Sequence, residues 1–334
     1  TLFPYTTLFR SLASYVVGVE RGLMSREEAV GRTLTTLRFL WRAPQGSAED
    51  ASGRRGFFYY FLDMETGRRA IGSEVSTIDT AFLMIGVLVA AAYYDRSSEE
   101  EAEIRQLADS LYRRVDWRWA LDGGATVSHG WRPEAGFIPY RWDSYSEALI
   151  LYALGLGSPT HAIPEEAYEA WTKGFEWKRI YGREYVHAGP LFIHQLSHVW
   201  LDLKGIRDGV MQAADMDYFE NSRRATYVQQ AYAVDNPKGF REYGEYTWGI
   251  TASAGPGDYR CEVDGREREF YGYLARGVPE GPDDGTLSPW AVVASLPFAP
   301  AIVLPTIQHY DEVYPQMRHA YGFRCSFNPT FPSH

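Results

Sequence analysis

Residues 81–94 (AFLMIGVLVAAAYY) carry no charged side chain, and they constrain the fold more than any other stretch. A helix that is apolar on every side must be buried on every side. At this length it falls short of the roughly 20 residues that a membrane span needs. Other segments are apolar on one stripe only. Ser25-Arg26-Glu27-Glu28 is a capping box leading into Leu34, Leu37, Leu40 and Trp41 at helical spacing. Ser98-Glu99-Glu100-Glu101 opens a second such helix, with Ile104, Leu107, Leu111 and Val115 on its stripe, and the acids suit its first turn. Further helices are expected near residues 144–156, 164–173, 192–203 and 218–234. Another is expected within 290–310, where Pro297, Pro300 and Pro305 interrupt. Wholly apolar helices mixed with amphipathic ones suit an inner ring wrapped by an outer ring, an all-α toroid.

The segment of residues 1–11, beginning TLFPYTTLFR, lacks the basic-then-apolar order of a signal peptide and reads as foreign to the fold. Residues 12–334 contain no Pro/Gly/Ser-rich linker, so one domain is expected. Short strands fit near residues 56–61 and 260–273. The long aromatic loops at 122–140 and 242–289 are of the kind that carry function. The net charge is −10 and no Lys/Arg-rich run occurs, which argues against a nucleic-acid partner. Cys261 and Cys325 could pair, and their spacing is not that of a zinc site. The chain holds 10 Trp and 24 Tyr, many in Gly/Pro-containing loops beside acids. Pyranose rings have apolar faces and hydroxyl rims, so such loops suit a carbohydrate groove.

Four carboxylates stand at helix entrances. Glu74 and Asp79 precede residues 81–94, and Ser76 with Asp79 fits a capping box. That role accounts for Asp79 without chemistry but leaves Glu74 unexplained. Asp143 and Glu147 are four apart, so on one helix they would share a face and repel slightly. Glycosidic hydrolysis needs one acid to protonate the leaving oxygen and a second group to activate water or attack carbon. Trp131, Tyr140 and Trp142 surround the second pair. His194 and His198 stand at i and i+4, as in a zinc-binding helix, but Gln195 replaces the metalloprotease acid and no third ligand is evident. No metal or cofactor is therefore expected; His194, Gln195 and His198 suit sugar hydroxyls, or packing. Glu245 and Trp248 lie in a loop and are candidate sugar contacts.

Five stretches carry a family resemblance: GFFYYFLDMETGRRAIGSEVSTIDTAFL (56–83), GFIPYRWDSYSEALILYALGLGSPTH (136–161), GPLFIHQLSHVWLDLKGIRD (189–208), DYFENSRRATYVQQAYA (217–233) and YGEYTWGITASAGPGDY (243–259). Together they resemble the bacterial glucoamylase-like domain family that contains endo-β-1,2-glucanases, glycoside hydrolase family 144. The resemblance implies an (α/α)6 barrel, metal-independent cleavage of β-1,2-glucan to short sophoro-oligosaccharides with inversion, and a periplasmic or secreted location. It places Glu74, Asp79, Asp143 and Glu147 in the active cleft without assigning acid and base. Family members extend beyond both ends of this sequence, so the barrel is expected to be incomplete at its C-terminus. Two other readings stay open: a transglycosylase or hydrolase of another glucan linkage, and a non-catalytic glycan-binding or inactive remnant.

Overall fold

The computed structural model describes residues 2–4 and 6–332, with side chains from Ser11 onward. The chain divides into two compact units, Thr1–Ser144 with Ala148–Gly174, and Tyr145–Glu147 with Phe175–His334.

The first unit contains α1 (Thr6–Glu20), α2 (Arg26–Arg42), α3 (Thr77–Tyr93), α4 (Glu99–Arg114), α5 (Leu149–Leu156) and α6 (Glu165–Lys173). α3 is the apolar helix, and α1, α4 and α5 pack on it while α2 packs on α4. Its residues from Ala81 to Val87 are all buried, as a helix without a polar face requires. Ser25, Ser76 and Ser98 are N-caps, each accepting the backbone N–H three residues on. The backbone of Leu2–Pro4 pairs antiparallel with Phe61–Asp63, so part of the segment expected to be foreign lies against a strand. The side chains of residues 1–10 lie outside the described residues.

The second unit contains α7 (Gly209–Ala213), α8 (Tyr218–Asp235), α9 (Pro289–Ala294) and α10 (Pro300–Val313). Its core gathers Tyr232, Trp248, Ile250, Leu287, Val303 and Tyr310. Two hairpins turn on paired left-handed residues, Tyr181-Gly182 (φ 46° and 77°) and Asp264-Gly265 (φ 54° and 73°). These are the geometries that match the twist of two-residue hairpins. A fully buried ion pair, Arg276 with Asp284, ties the loop between the strand Leu274–Ala275 and α9.

The fold is mainly helical rather than wholly so, because short two- and three-stranded sheets join the helices. Three expected helices differ. The helix near 144–156 begins only at Leu149. The Ser144 carbonyl accepts from Trp171 Nε1 at 2.7 Å and the Trp142 carbonyl from the Tyr152 hydroxyl at 2.7 Å, bonds that draw the backbone away from a helical ladder. Asp143 and Glu147 therefore share no helix face. Residues 192–203 form two 3₁₀ turns, Leu191–His194 and Leu196–Val199, instead of one α-helix. Here Phe192 N–H bonds to Thr251 Oγ1 at 3.0 Å and the Gln195 side chain reaches Ala291 and Ser295, so tertiary partners replace the ladder. The 290–310 region splits into α9 and α10, yet Pro305 lies inside α10. The carbonyl that loses its partner there is that of Ala301, which is exposed to water. Among the described residues, no helix is long and apolar enough to cross a membrane.

Candidate active site

In the first unit the candidates gather on a three-stranded antiparallel sheet of Val75–Ser76, Gly130–Arg132 and Gly136–Phe137. Val75 faces Trp131, which in turn faces Phe137. Glu74 immediately precedes the first strand, and its carboxylate meets Arg132 Nη2 at 3.0 Å. A Cβ on Gly130 would come within 2.3 Å of the Val75 carbonyl and 3.2 Å of Glu74 Cγ, so glycine is needed to bring Glu74 beside the strand. Arg132 fixes the orientation of an acid that is 29% exposed. Asp79 lies in the first turn of α3, where Ser76 Oγ accepts its N–H at 3.2 Å and bonds to its carboxylate. The capping role read from sequence is thus present.

Trp142 stacks on His129 with ring centroids 3.8 Å apart, and its indole N–H donates to Thr77 Oγ1 at 3.1 Å. Burial pushes the His129 pKa down, favouring the neutral ring. Tyr140 is 69% exposed and Asp143 is also open to water. Trp131 is buried, with the Arg54 guanidinium 4.1 Å from its ring centroid, so that face is already occupied. Gly174 has no room for a side chain, since a Cβ there would overlap the Asp143 carbonyl.

The second unit holds Glu147, which is half-buried and follows the buried Tyr145. Tyr145 packs among Phe175, His194 and Tyr218, and burial pushes its hydroxyl pKa up. His194 is buried; its Nε2 bonds to the Ala188 carbonyl at 3.1 Å and its Nδ1 meets Asn221 Nδ2 at 3.4 Å. His198 Nε2 instead meets Ser222 Oγ at 3.0 Å. Gln195 is buried, and its amide donates to Ala291 O at 2.8 Å and Ser295 Oγ at 2.7 Å. Among the described residues, no cluster of three or more His, Cys, Asp or Glu side chains is placed to hold a metal ion. Glu245 is exposed. Trp248 is fully buried and donates to Thr306 Oγ1 at 2.8 Å, so the loop tryptophan expected to stack sugars is a core residue. Cys261 and Cys325 are free thiols.

Sequence reasoning missed two partners, Arg132 for Glu74 and His129 for Trp142. It also missed Asp283, which accepts hydrogen bonds from the Tyr232 and Tyr243 hydroxyls at 3.0 and 2.8 Å and whose pKa burial raises. Only strand pairing and loop packing create these pairs, and no local pattern announces them.

The two histidines give a pH prediction. Burial lowers the His194 pKa to about 3 and the His198 pKa to about 4, both below the ordinary 6.5. As pH falls below 6.5, the unfolded chain takes up protons that the folded chain refuses, so stability must fall with pH. The melting temperature is expected to drop between pH 6.5 and 4, and less steeply in His194→Gln. An identical pH slope in the variant would overturn this account.

Comparison with known proteins follows the same outline. The model of the family described as "Putative glucoamylase" matches residues 139–334, more than half of the chain. Over 96% of its length the chain is 27% identical to the exo β-1,2-glucooligosaccharide sophorohydrolase (non-reducing end) of Parabacteroides distasonis, and it spans 45% of that protein. The endo-β-1,2-glucanase of Chitinophaga pinensis, solved in complex with sophorotriose and glucose, is 26% identical with a TM-score of 0.82. That match covers 98% of this chain and 77% of the enzyme's. A Bacteroides fragilis structure bearing the same family description is 30% identical, with a TM-score of 0.81 over 98% of this chain and 76% of its own. The mainly helical fold is therefore of the glucoamylase type. The chain belongs to the putative glucoamylase family.

Proposed function

We propose that this chain is a glycoside hydrolase that cuts β-1,2-glucan endolytically into short sophoro-oligosaccharides, with inversion, on an (α/α)6 barrel. The observation that carries the reading is the match, across nearly the whole chain, to a Chitinophaga pinensis endo-β-1,2-glucanase whose structure holds sophorotriose and glucose. Glu74, Asp79, Asp143 and Glu147 supply the acid, base or charge-stabilising groups. Acid and base are not assigned among them; Asp79 is engaged in capping, Asp143 stands open to water, and Glu74 is oriented by Arg132. One carboxyl protonates the glycosidic oxygen while the other, as carboxylate, takes a proton from the attacking water on the opposite face of the sugar. Tyr140 and Trp142 offer the rings on which a pyranose face would rest.

A second reading, exo-release of sophorose, is favoured by the Parabacteroides distasonis relative, whose name specifies cleavage from the non-reducing end. Incubation with linear β-1,2-glucan separates the two. Sophoro-oligosaccharides of several lengths at early times are expected for endo cleavage, whereas sophorose alone from the start would establish the exo mode. Glucan left unchanged would overturn both.

A further inference from the structure

We propose that an arginine-lined cavity of the second unit is a binding site for a phosphate group, either free or carried by a small sugar phosphate. The cavity measures about 570 Å³ and is lined by Arg179, Arg183, Arg223, Arg224, Glu220 and Tyr227, together with Gly182 and Glu184. That volume lies within the ~300–1,000 Å³ typical of small-molecule sites. None of the carboxylates assigned to glucan cleavage lines it, so the inference goes beyond the proposed hydrolase activity.

Two elements build the cavity. On α8, Glu220, Arg223, Arg224 and Tyr227 stand at i, i+3, i+4 and i+7, which sets them on one face. Opposite them lies the hairpin of Trp177–Ile180 and Arg183–Val186, whose tight Tyr181-Gly182 turn holds Arg179 and Arg183 near its tip. Four arginines and two glutamates thus line one cavity, an excess of positive charge in a protein whose net charge is −10.

The internal pairing does not discharge this excess. Glu220 is shared, meeting Arg224 Nε at 2.9 Å and Arg223 Nη1 at 3.2 Å. Arg224 Nη1 donates to the backbone carbonyl of Glu184 at 2.8 Å, so the Glu184 carboxylate is not what holds it. Arg183 and Arg223 both approach the Tyr227 ring, at 5.0 and 5.3 Å from its centroid. The Arg179 guanidinium has no hydrogen-bonded or ion-pair partner among the described residues. Like charges gathered around one ring repel, and an anion between them would convert that repulsion into attraction. A guanidinium fork matches the paired oxygens of phosphate in geometry as well as charge. The Tyr227 ring adds a flat surface against which an attached sugar could lie.

The test is a calorimetric titration of the whole chain at low ionic strength with inorganic phosphate, glucose 6-phosphate and glucose in parallel. Saturable one-to-one binding is expected for both phosphates and none for glucose. Affinity should weaken by about tenfold or more in Arg179→Gln and in Arg223→Gln, and it should fall as salt is added. Arg179→Gln removes no side-chain hydrogen bond or ion pair of the described residues, so the melting temperature should stay unchanged. Tighter binding of glucose 6-phosphate than of phosphate would identify the sugar-borne group as the ligand, and equal binding the free anion. No saturation by either phosphate at about 10 mM, equal binding of glucose, or affinities unchanged in both variants would overturn the proposal.

Discussion

Arg276→Ala is expected to lower the stability of the second unit by about 3–5 kcal/mol, the usual cost of stranding one member of a buried ion pair. Both side chains of the Arg276–Asp284 pair have no exposed surface. The contact is bidentate, Nε to Oδ1 at 2.7 Å and Nη2 to Oδ2 at 2.8 Å. Arg276 also donates to the carbonyls of Ser253 at 2.7 Å and Tyr271 at 3.0 Å, while Asp284 accepts the N–H groups of Tyr271 and Thr286, each at 3.1 Å. Removing the guanidinium leaves a buried carboxylate without its countercharge and takes one donor each from the Ser253 and Tyr271 carbonyls. Burial alone would raise the Asp284 pKa, but the Arg276 and Thr286 hydrogen bonds outweigh it and hold the group below its ordinary 3.8. The pair's contribution is therefore complete above pH 3.8 and is lost as pH falls through the lower folded-state value. Denaturant unfolding at neutral pH checks the magnitude. The double variant Arg276→Met with Asp284→Leu should lose less than the sum of the two single losses, because it strands no charge. A loss below about 1 kcal/mol in Arg276→Ala, the scale of an exposed pair, would show that the pair is not what holds this loop.

The second large effect is catalytic. Glu74→Gln is expected to reduce turnover of β-1,2-glucan by about 10²–10⁴-fold, the range lost with a general acid or base, and Glu147→Gln should do the same. The amide keeps the shape of Glu74 and can still meet Arg132, but it cannot deliver or accept a proton. The exposed Glu74–Arg132 pair contributes at most about 1 kcal/mol to stability, so the melting temperature should hardly change. Arg132→Ala should cost less activity than Glu74→Gln, since it frees the carboxylate to reorient without removing it. Steady-state rates on linear β-1,2-glucan, with thermal melts as control, make the comparison. Full turnover in Glu74→Gln would move the chemistry to another carboxylate.

Much of the helical frame was legible because its signals are local. The serine caps of α2, α3 and α4 and the apolar stripe of each helix depend on residues within a few positions of one another. The misread helices failed for the opposite reason. Ser144 bonds to Trp171 and Phe192 to Thr251, partners 27 and 59 residues away, and these bonds decided against a regular ladder. The candidate site divides in the same manner. Asp79 is engaged by its own capping residue, as the spacing implied, whereas Glu74 takes its orientation from Arg132, 58 residues along the chain.

The sequence by itself determined that this is a mainly helical chain with one helix buried all round, that acids stand at helix entrances, and which family it belongs to. Periodicity, capping and motif order are properties of short stretches and survive without the fold. Only the tertiary structure decided that Trp248 is core and Tyr140 open, that His194 and His198 have separate partners, and that four arginines line one cavity. Burial and charge proximity are set by chain segments meeting across long separations, and no window of sequence contains both sides of such a contact.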